Sequence, residues 1–350
     1  MSEHHGGRAF IGSYTGAGGR GIAVADVAAD TGALAVRSVL DAVPDPSYLK
    51  LNADASVLYA VSETGHGLAA AFAAAADGTL AALGRARELD AAVPAHLTLA
   101  DGHLLVANYG SGSFTVLPVA ADGSLGEATD VHAHEGTGPN AERQEGPHAH
   151  QVLPDPSGRW VLGVDLGTDA VRVYRLDPAA GRLAVHSETV LTPGRGPRHL
   201  AFHPDGRHAY VLHELHPSLS VCRWDDRTGT LDVLGEAPLL GADVPGRDTS
   251  NASAIVVDRG GRYLWAANRG PDSLSVLALD DTREKAELVT TVPCGGRWPR
   301  DLALDPAGRR LYAANEHSGD VTWFDIDPAT GVPARAGSLD LPAPSCVVFG

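Results

Sequence analysis

Along most of this chain apolar residues recur at every second position. Val171-Arg172-Val173-Tyr174-Arg175-Leu176 and Leu274-Ser275-Val276-Leu277-Ala278-Leu279 are two such runs. A period of two, rather than the 3.6 of a helix, sends alternate side chains to opposite faces of an extended strand. Turn dipeptides separate the runs at regular places: Ser157-Gly158, Asp205-Gly206, Gly260-Gly261 and Ala307-Gly308, then Asp77-Gly78, Asp122-Gly123, Thr228-Gly229 and Thr330-Gly331. Glycine supplies the positive φ of a tight hairpin. The pattern predicts an all-β protein of short antiparallel strands.

The runs are grouped into units with a shared opening. Pro46-Ser47-Tyr48-Leu49, Pro94-Ala95-His96-Leu97, Pro147-His148-Ala149-His150, Pro197-Arg198-His199-Leu200, Ala252-Ser253-Ala254-Ile255, Pro299-Arg300-Asp301-Leu302 and Pro344-Ser345-Cys346-Val347 stand 45 to 55 residues apart. Such a period marks stacked units that cannot bury their faces alone. Four strands per unit and seven openings predict a seven-bladed β-propeller, whose closure removes exposed sheet edges. Ala9-Phe10-Ile11-Gly12-Ser13-Tyr14-Thr15 matches Leu311-Tyr312-Ala313-Ala314-Asn315-Glu316-His317 but has no opening strand before it, whereas Pro344 to Gly350 is an opening strand with no blade after it. The C-terminal strand is therefore expected to complete the N-terminal blade. Residues 1–350 read as a single propeller domain, with 1–7 as a disordered tail.

Composition narrows the function classes. A net charge of −16 argues against nucleic acid, whose binders present a basic face. Cys222, Cys294 and Cys346 are odd in number and widely spaced, so neither a disulfide framework nor a zinc site is expected. Residues 1–7 lack an apolar signal core, and the alanine-rich stretch from Leu68 to Ala76 is too short to span a bilayer. The expectation is a cytoplasmic protein with no membrane partner and no cofactor; the oligomeric state is left open.

Function is sought where the repeats disagree. The second residue of each opening is Ser47, Ala95, His148, Arg198, Ser253, Arg300 or Ser345, so three blades replace a small residue by His or Arg near the channel mouth. The ends of the second strands are Tyr14, Glu63, Tyr109, Leu166, Glu214, Arg269 and Glu316, each after a small or hydrogen-bonding residue: Ser13, Ser62, Asn108, Asp165, His213, Asn268 and Asn315. Those neighbours read as structural ties between blades. Buried charges seldom stand unpaired, so His148, Arg198, Glu214 and Arg269 are expected to converge, with Arg300 as an additional anion contact. Arginine offers a planar fork for carboxylate or phosphate, and His and Glu exchange protons near neutrality. Structural ion pairing by the same residues is the competing reading.

His150 falls where Leu49, Leu97, Leu200, Ile255 and Leu302 stand in other openings. It reads first as a packed core histidine and second as a substrate contact. His4, His5, His132 and His134 read as solvated, a metal site from His132, His134 and Glu135 being the lesser alternative. The long polar connection from Val131 to Gly146 is expected to be a rim loop or lid, or else a tolerated insertion.

Four strings carry a family resemblance across essentially the whole chain: Glu142-Arg143-Gln144-Glu145-Gly146-Pro147-His148-Ala149-His150, Gly196-Pro197-Arg198-His199-Leu200-Ala201-Phe202-His203-Pro204-Asp205-Gly206, His213-Glu214-Leu215 and Ala267-Asn268-Arg269. They resemble the lactonase family of seven-bladed propellers, which includes propeller-type 6-phosphogluconolactonases and carboxymuconate lactonising enzymes. The resemblance implies an active site at His148, Arg198, Glu214 and Arg269. His213 is a departure, since relatives often carry Asn there.

The implied reaction is hydrolysis of a sugar δ-lactone, 6-phospho-glucono-1,5-lactone first, giving 6-phosphogluconate. Either His148 or Glu214 would activate water, with Arg198 and Arg269 holding phosphate or oxyanion. The expected partner is thus a small anionic lactone. A carboxymuconate-type cycloisomerase using the same arginines, and a non-catalytic propeller binding a ligand at its channel mouth, are the alternatives. A Gly-x-Ser-x-Gly elbow is absent from the sequence.

Overall fold

A computed structural model describes the chain from His5 to Gly350; residues 1–4 lie outside the described residues. Seven antiparallel sheets follow one another as blades. In chain order we call them blade I (49–88), II (94–133), III (149–190), IV (197–238), V (251–293) and VI (299–340). Blade VII is composite: Pro344–Phe349 pairs with His5–Ser13, which continues into Ile22–Ala28 and Leu34–Leu40. The closure read from the repeats is therefore present.

Two local details differ from the expectation. The first strand of blade VII already begins at His5, inside the tail drawn as far as residue 7; the rest of that tail lies outside the described residues. The outer strand of blade I is split into Leu80–Ala82 and Arg87–Glu88, both pairing with Leu68–Ala74. Among the described residues no helix is long and apolar enough to cross a membrane.

The hydrophobic core is distributed between blades. Trp160, Leu162 and Val164 of blade III pack with Leu200, Val211 and Trp224 of blade IV, and Ala9, Ile11 and Ala23 of blade VII pack with Tyr312, Ala314 and Trp323 of blade VI. Corresponding clusters fill the other five interfaces. Consecutive buried residues in the second strands, as in Val161–Asp165, put both faces of a blade inside, and each blade buries them only against its neighbours.

Each innermost strand begins opposite the end of the second strand, as in Pro197 opposite His213 and Pro299 opposite Asn315. The connections between blades and the turns from second to third strand consequently emerge on one face. Five connections enter the inner strand through a residue of positive φ: Asp45, Val93, Gly196, Trp298 and Ala343, at 44° to 64°. Four of these are not glycine, so the sharp inward step is enforced by the packed ring against local preference.

The polar residue ending each second strand ties the same face together. Asn108 Nδ2 donates to Thr115 Oγ1, which donates to the Leu89 carbonyl on the incoming connection. Asn268, Ser275 and Leu239 repeat the relay in blade V, and Asn315, Thr322 and Cys294 in blade VI. His213 serves as the asparagine of blade IV: its ring nitrogens lie 2.8 Å and 3.0 Å from Ser218 and Ser220 Oγ, as Asn268 Nδ2 reaches Ser273 and Ser275. The departure at this position keeps the local bonding and leaves Glu214 anchored.

Candidate active site

The chemistry-bearing residues sit where the inner and second strands meet on the connection face. Arg198 is second in Pro197–Phe202, Arg300 second in Pro299–Leu304, and Arg269 ends Tyr263–Arg269. Glu214 follows His208–His213, and His148 immediately precedes Ala149–Pro154. Pairing in blade III corrects the reading of His150. Ala149 faces Asp165 and Gln151 faces Val164, as Pro197 faces His213 and His199 faces Leu212. His150 is therefore the counterpart of Arg198, and the apolar position read for it belongs to Val152, which is fully buried.

Glu214 organises the site. Its Oε1 accepts from Arg143 Nη2 at 2.6 Å, and its Oε2 lies 3.0 Å from Arg198 Nε and 2.9 Å from Arg269 Nη2. The side chain is only 6% exposed. Burial alone would raise its pKa, but Arg269, Arg198 and Arg143 together hold the carboxyl far below the usual range. Glu214 is thus a fixed anion. Arg269 is steadied from its other side, where Nε donates to the Asn251 carbonyl and the guanidinium lies 5.4 Å from the Trp298 ring. Arg198 Nη1 donates to the Ser253 carbonyl, and burial beside Arg269 works against its charge. Three guanidinium groups around one carboxylate leave a net positive cluster suited to an anion.

His148 stands beside this cluster. Its ring stacks on Tyr109 at 4.4 Å and 16°, and Tyr109 Oη accepts from Arg143 Nη2 at 3.3 Å. Nδ1 lies 3.0 Å from the Tyr109 carbonyl. A carbonyl only accepts, so Nδ1 carries the proton and Nε2 of the neutral ring keeps its lone pair. Nε2 is 3.3 Å from the exposed carboxylate of Glu145.

Arg143 arrives on the connection between blades II and III. Residues 131–133, counted with that loop from sequence, belong to the outer strand of blade II, Asp130–Ala133, so the excursion runs from His134 to His148. Asp165 fastens both of its feet. Oδ2 accepts from His134 Nδ1 at 2.5 Å, and Oδ1 accepts the His148 backbone N–H at 3.0 Å. His134 Nε2 then accepts from Tyr174 Oη at 2.9 Å. His134 is therefore buried, against the expectation of a solvated residue, and both its ring nitrogens are engaged; His132 is half-buried in the outer strand. Gln144, fully buried beside Arg143, donates to the Leu166 carbonyl at 2.9 Å. Gly167 makes room for the second foot: a Cβ there would lie 1.9 Å from the Gly146 carbonyl oxygen and 2.8 Å from the His148 nitrogen.

Arg300 belongs to a second ionic group at the same mouth. Its Nη2 is 3.2 Å from Glu63 Oε1, Tyr14 Oη donates to Glu63 Oε2 at 2.7 Å, and the guanidinium lies 4.8 Å from the Tyr14 ring. Arg198, Arg300, Glu63 and Asp301 line one narrow axial cavity with Ser47, Ser345 and His199. Against His199 pack His96 and His150, edge to face at 5.8 and 5.3 Å, and burial holds all three well below the ordinary imidazole pKa. Among the described residues His150 Nδ1 has no hydrogen-bond partner. A larger crevice of about 720 Å³ between blades I and II carries His66, Glu88 and Asp90, and none of these arginines line it.

The structure thus gathers Arg198, Glu214 and Arg269 in direct contact, joins His148 to them through Tyr109 and Arg143, and sets Arg300 and His150 along the same axis. Sequence reasoning gave Arg143 no role, placed Tyr109 only as a strand end, and read Asp165 as a structural tie without its partners. The signal for Arg143 was available: it lies in the string preceding His148, inside the connection read as a rim loop.

Comparison with known proteins bears on the chain as a whole. A family model described as "Lactonase, 7-bladed beta-propeller" matches residues 8–349. The chain is 33% identical over 345 residues to the 6-phosphogluconolactonase of Bacillus subtilis, covering 97% of each. It is 28% identical over 333 residues to the 6-phosphogluconolactonase of Formosa agariphila, covering 92% of this chain and 93% of that one. Among solved structures, the periplasmic gluconolactonase of Pseudomonas aeruginosa superposes with a TM-score of 0.91 at 31% identity, covering 98% of both chains.

Proposed function

The chain belongs to the lactonase family of seven-bladed β-propellers, and from that premise we propose that it hydrolyses a sugar δ-lactone, 6-phospho-glucono-1,5-lactone before others. The observation that carries this reading is the buried Glu214 gathering Arg143, Arg198 and Arg269 beside a histidine whose Nδ1 donates to a carbonyl and whose Nε2 carries the lone pair. The names of the Bacillus and Formosa relatives support the phosphorylated substrate.

In this mechanism His148 Nε2 removes a proton from the attacking water as its oxygen bonds to the lactone carbonyl carbon. Arg198 and Arg269 face the oxyanion that develops, a charge absent from the ground state. Collapse of the tetrahedral intermediate breaks the bond to the ring oxygen, and the imidazolium returns the proton to that leaving alkoxide. Glu214 does not serve as the base, because a carboxylate held so strongly ionised has little proton affinity. Its work is to fix the arginines.

Lactone disappearance, measured against a spontaneous-hydrolysis blank with carboxymuconate run alongside, tests the reading. Activity on the phosphorylated lactone is expected. His148→Gln is expected to lower kcat by ~100-fold or more, and Arg198→Ala to lower kcat/KM to a similar degree; full activity of either variant would refute the assignment. Turnover of carboxymuconate alone would favour the cycloisomerase. The proposal includes the cytoplasmic placement, which cell fractionation checks.

A further inference from the structure

We infer that Arg143 is the residue by which this site selects a phosphorylated over a neutral sugar lactone, gripping the distal anionic group of the substrate from a preformed arm. The inference rests on the lactonase reading above and assigns a role that His148, Arg198 and Arg269 leave unfilled.

Depth in the site separates the arginines. The side chains of Arg198 and Arg269 are 4% and 7% exposed, and that of Arg143 is 37% exposed. A lactone whose carbonyl reaches the deep pair points its opposite end at the mouth, where Arg143 stands. Arg143 spends little of its hydrogen-bonding capacity on the protein: one Nη serves both Glu214 and Tyr109. A guanidinium has five N–H donors in a planar fork, enough to take a phosphate two-pronged while keeping Glu214.

The arm that carries Arg143 is built to be still. Asp165 ties its first foot through His134 and its second through the His148 backbone, Gln144 plugs into the Leu166 carbonyl next to Arg143, and Gly167 admits the Gly146 carbonyl at close quarters. The same carboxylate therefore sets the spacing between the proton-accepting histidine and the rim arginine. A side chain delivered by so fixed a segment gives up little conformational freedom when it binds, which is the condition for discrimination between substrates that differ at one end.

The test measures kcat/KM for 6-phospho-glucono-1,5-lactone and for glucono-1,5-lactone with the wild type, Arg143→Gln and Arg143→Lys, with circular dichroism confirming the fold. The wild type is expected to favour the phosphorylated lactone. Arg143→Gln should lower the ratio of the two kcat/KM values ~10-fold or more, mainly through KM for the phosphorylated substrate, and Arg143→Lys should restore part of it. An unchanged ratio, or an equal loss on both lactones, would overturn the inference while leaving the lactonase reading standing. A wild type inactive on both lactones would remove that reading and this inference with it.

Discussion

Glu214 holds a full charge almost out of contact with water, and it does so only because three guanidinium groups surround it. Removing one partner of a buried ionic group leaves the others uncompensated, at a cost of about 3–5 kcal/mol. Glu214→Gln is accordingly expected to lower the melting temperature as well as activity; loss of activity with an unchanged melting temperature would mean that the arginines do not depend on it. Asp301 presents the reverse case. Burial pushes its pKa up to about 6, although Oδ2 accepts the Val347 N–H at 3.1 Å. Its unfolded value is near 3.8, so the folded state holds the proton more tightly, and the fold loses stability as pH rises from about 4 to about 6. Asp301→Asn keeps an acceptor for Val347 and removes the buried charge. It should raise the melting temperature at pH 7.5 and have little effect near pH 4, as followed by thermal melts at the two pH values. At this scale the sequence was informative where a charge interrupts a background of small residues, as at Arg198 and Arg300. It was uninformative about which charges neutralise one another, since Glu63 and Arg300 are 237 positions apart.

Strand register decides what a position means. Pro147-His148-Ala149-His150 imitates Pro197-Arg198-His199-Leu200, yet the inner strand of blade III starts two residues later because Pro147 and His148 are still the foot of the arm. The downstream turn could have exposed the slip: three steps lead from Val152 to Asp155, as from Leu200 to His203, and both Asp155 and His203 open the hairpins closed by Gly158 and Gly206. His148 consequently works from a connection held by its backbone, and His150 takes the inner-strand place. Gly167→Ala tests how far the site depends on that foot. The added methyl collides with backbone rather than with a side chain that can swing away, so His148 must shift. A fall in kcat of ~10-fold or more is expected, since small displacements of reacting groups are costly; unaltered kinetics would show that the foot yields without moving the imidazole. The fold of each blade was legible because alternation and turn glycines are local. The arm was not, because Asp165 joins residues on either side of it that no local pattern connects.

At the scale of the whole ring, seven interblade cores share the burial, and blade VII differs only in drawing its strands from both ends of the chain. Deleting residues 344–350 removes Cys346 and Val347 from the two cores flanking blade VII and exposes the edge of His5–Ser13. Loss of stability should therefore be global: a single cooperative transition lowered by ~10 °C or more, with site geometry lost alongside. Local fraying with an unchanged melting temperature would refute the closure as a structural clasp. The composite blade also orders events during synthesis. His5–Ser13 leaves the ribosome first and its inner partner, Pro344–Phe349, more than 300 residues later. The nascent chain must carry that unpaired strand edge while the six intervening blades are made, and the edge stays open to unwanted pairing until Pro344–Phe349 emerges.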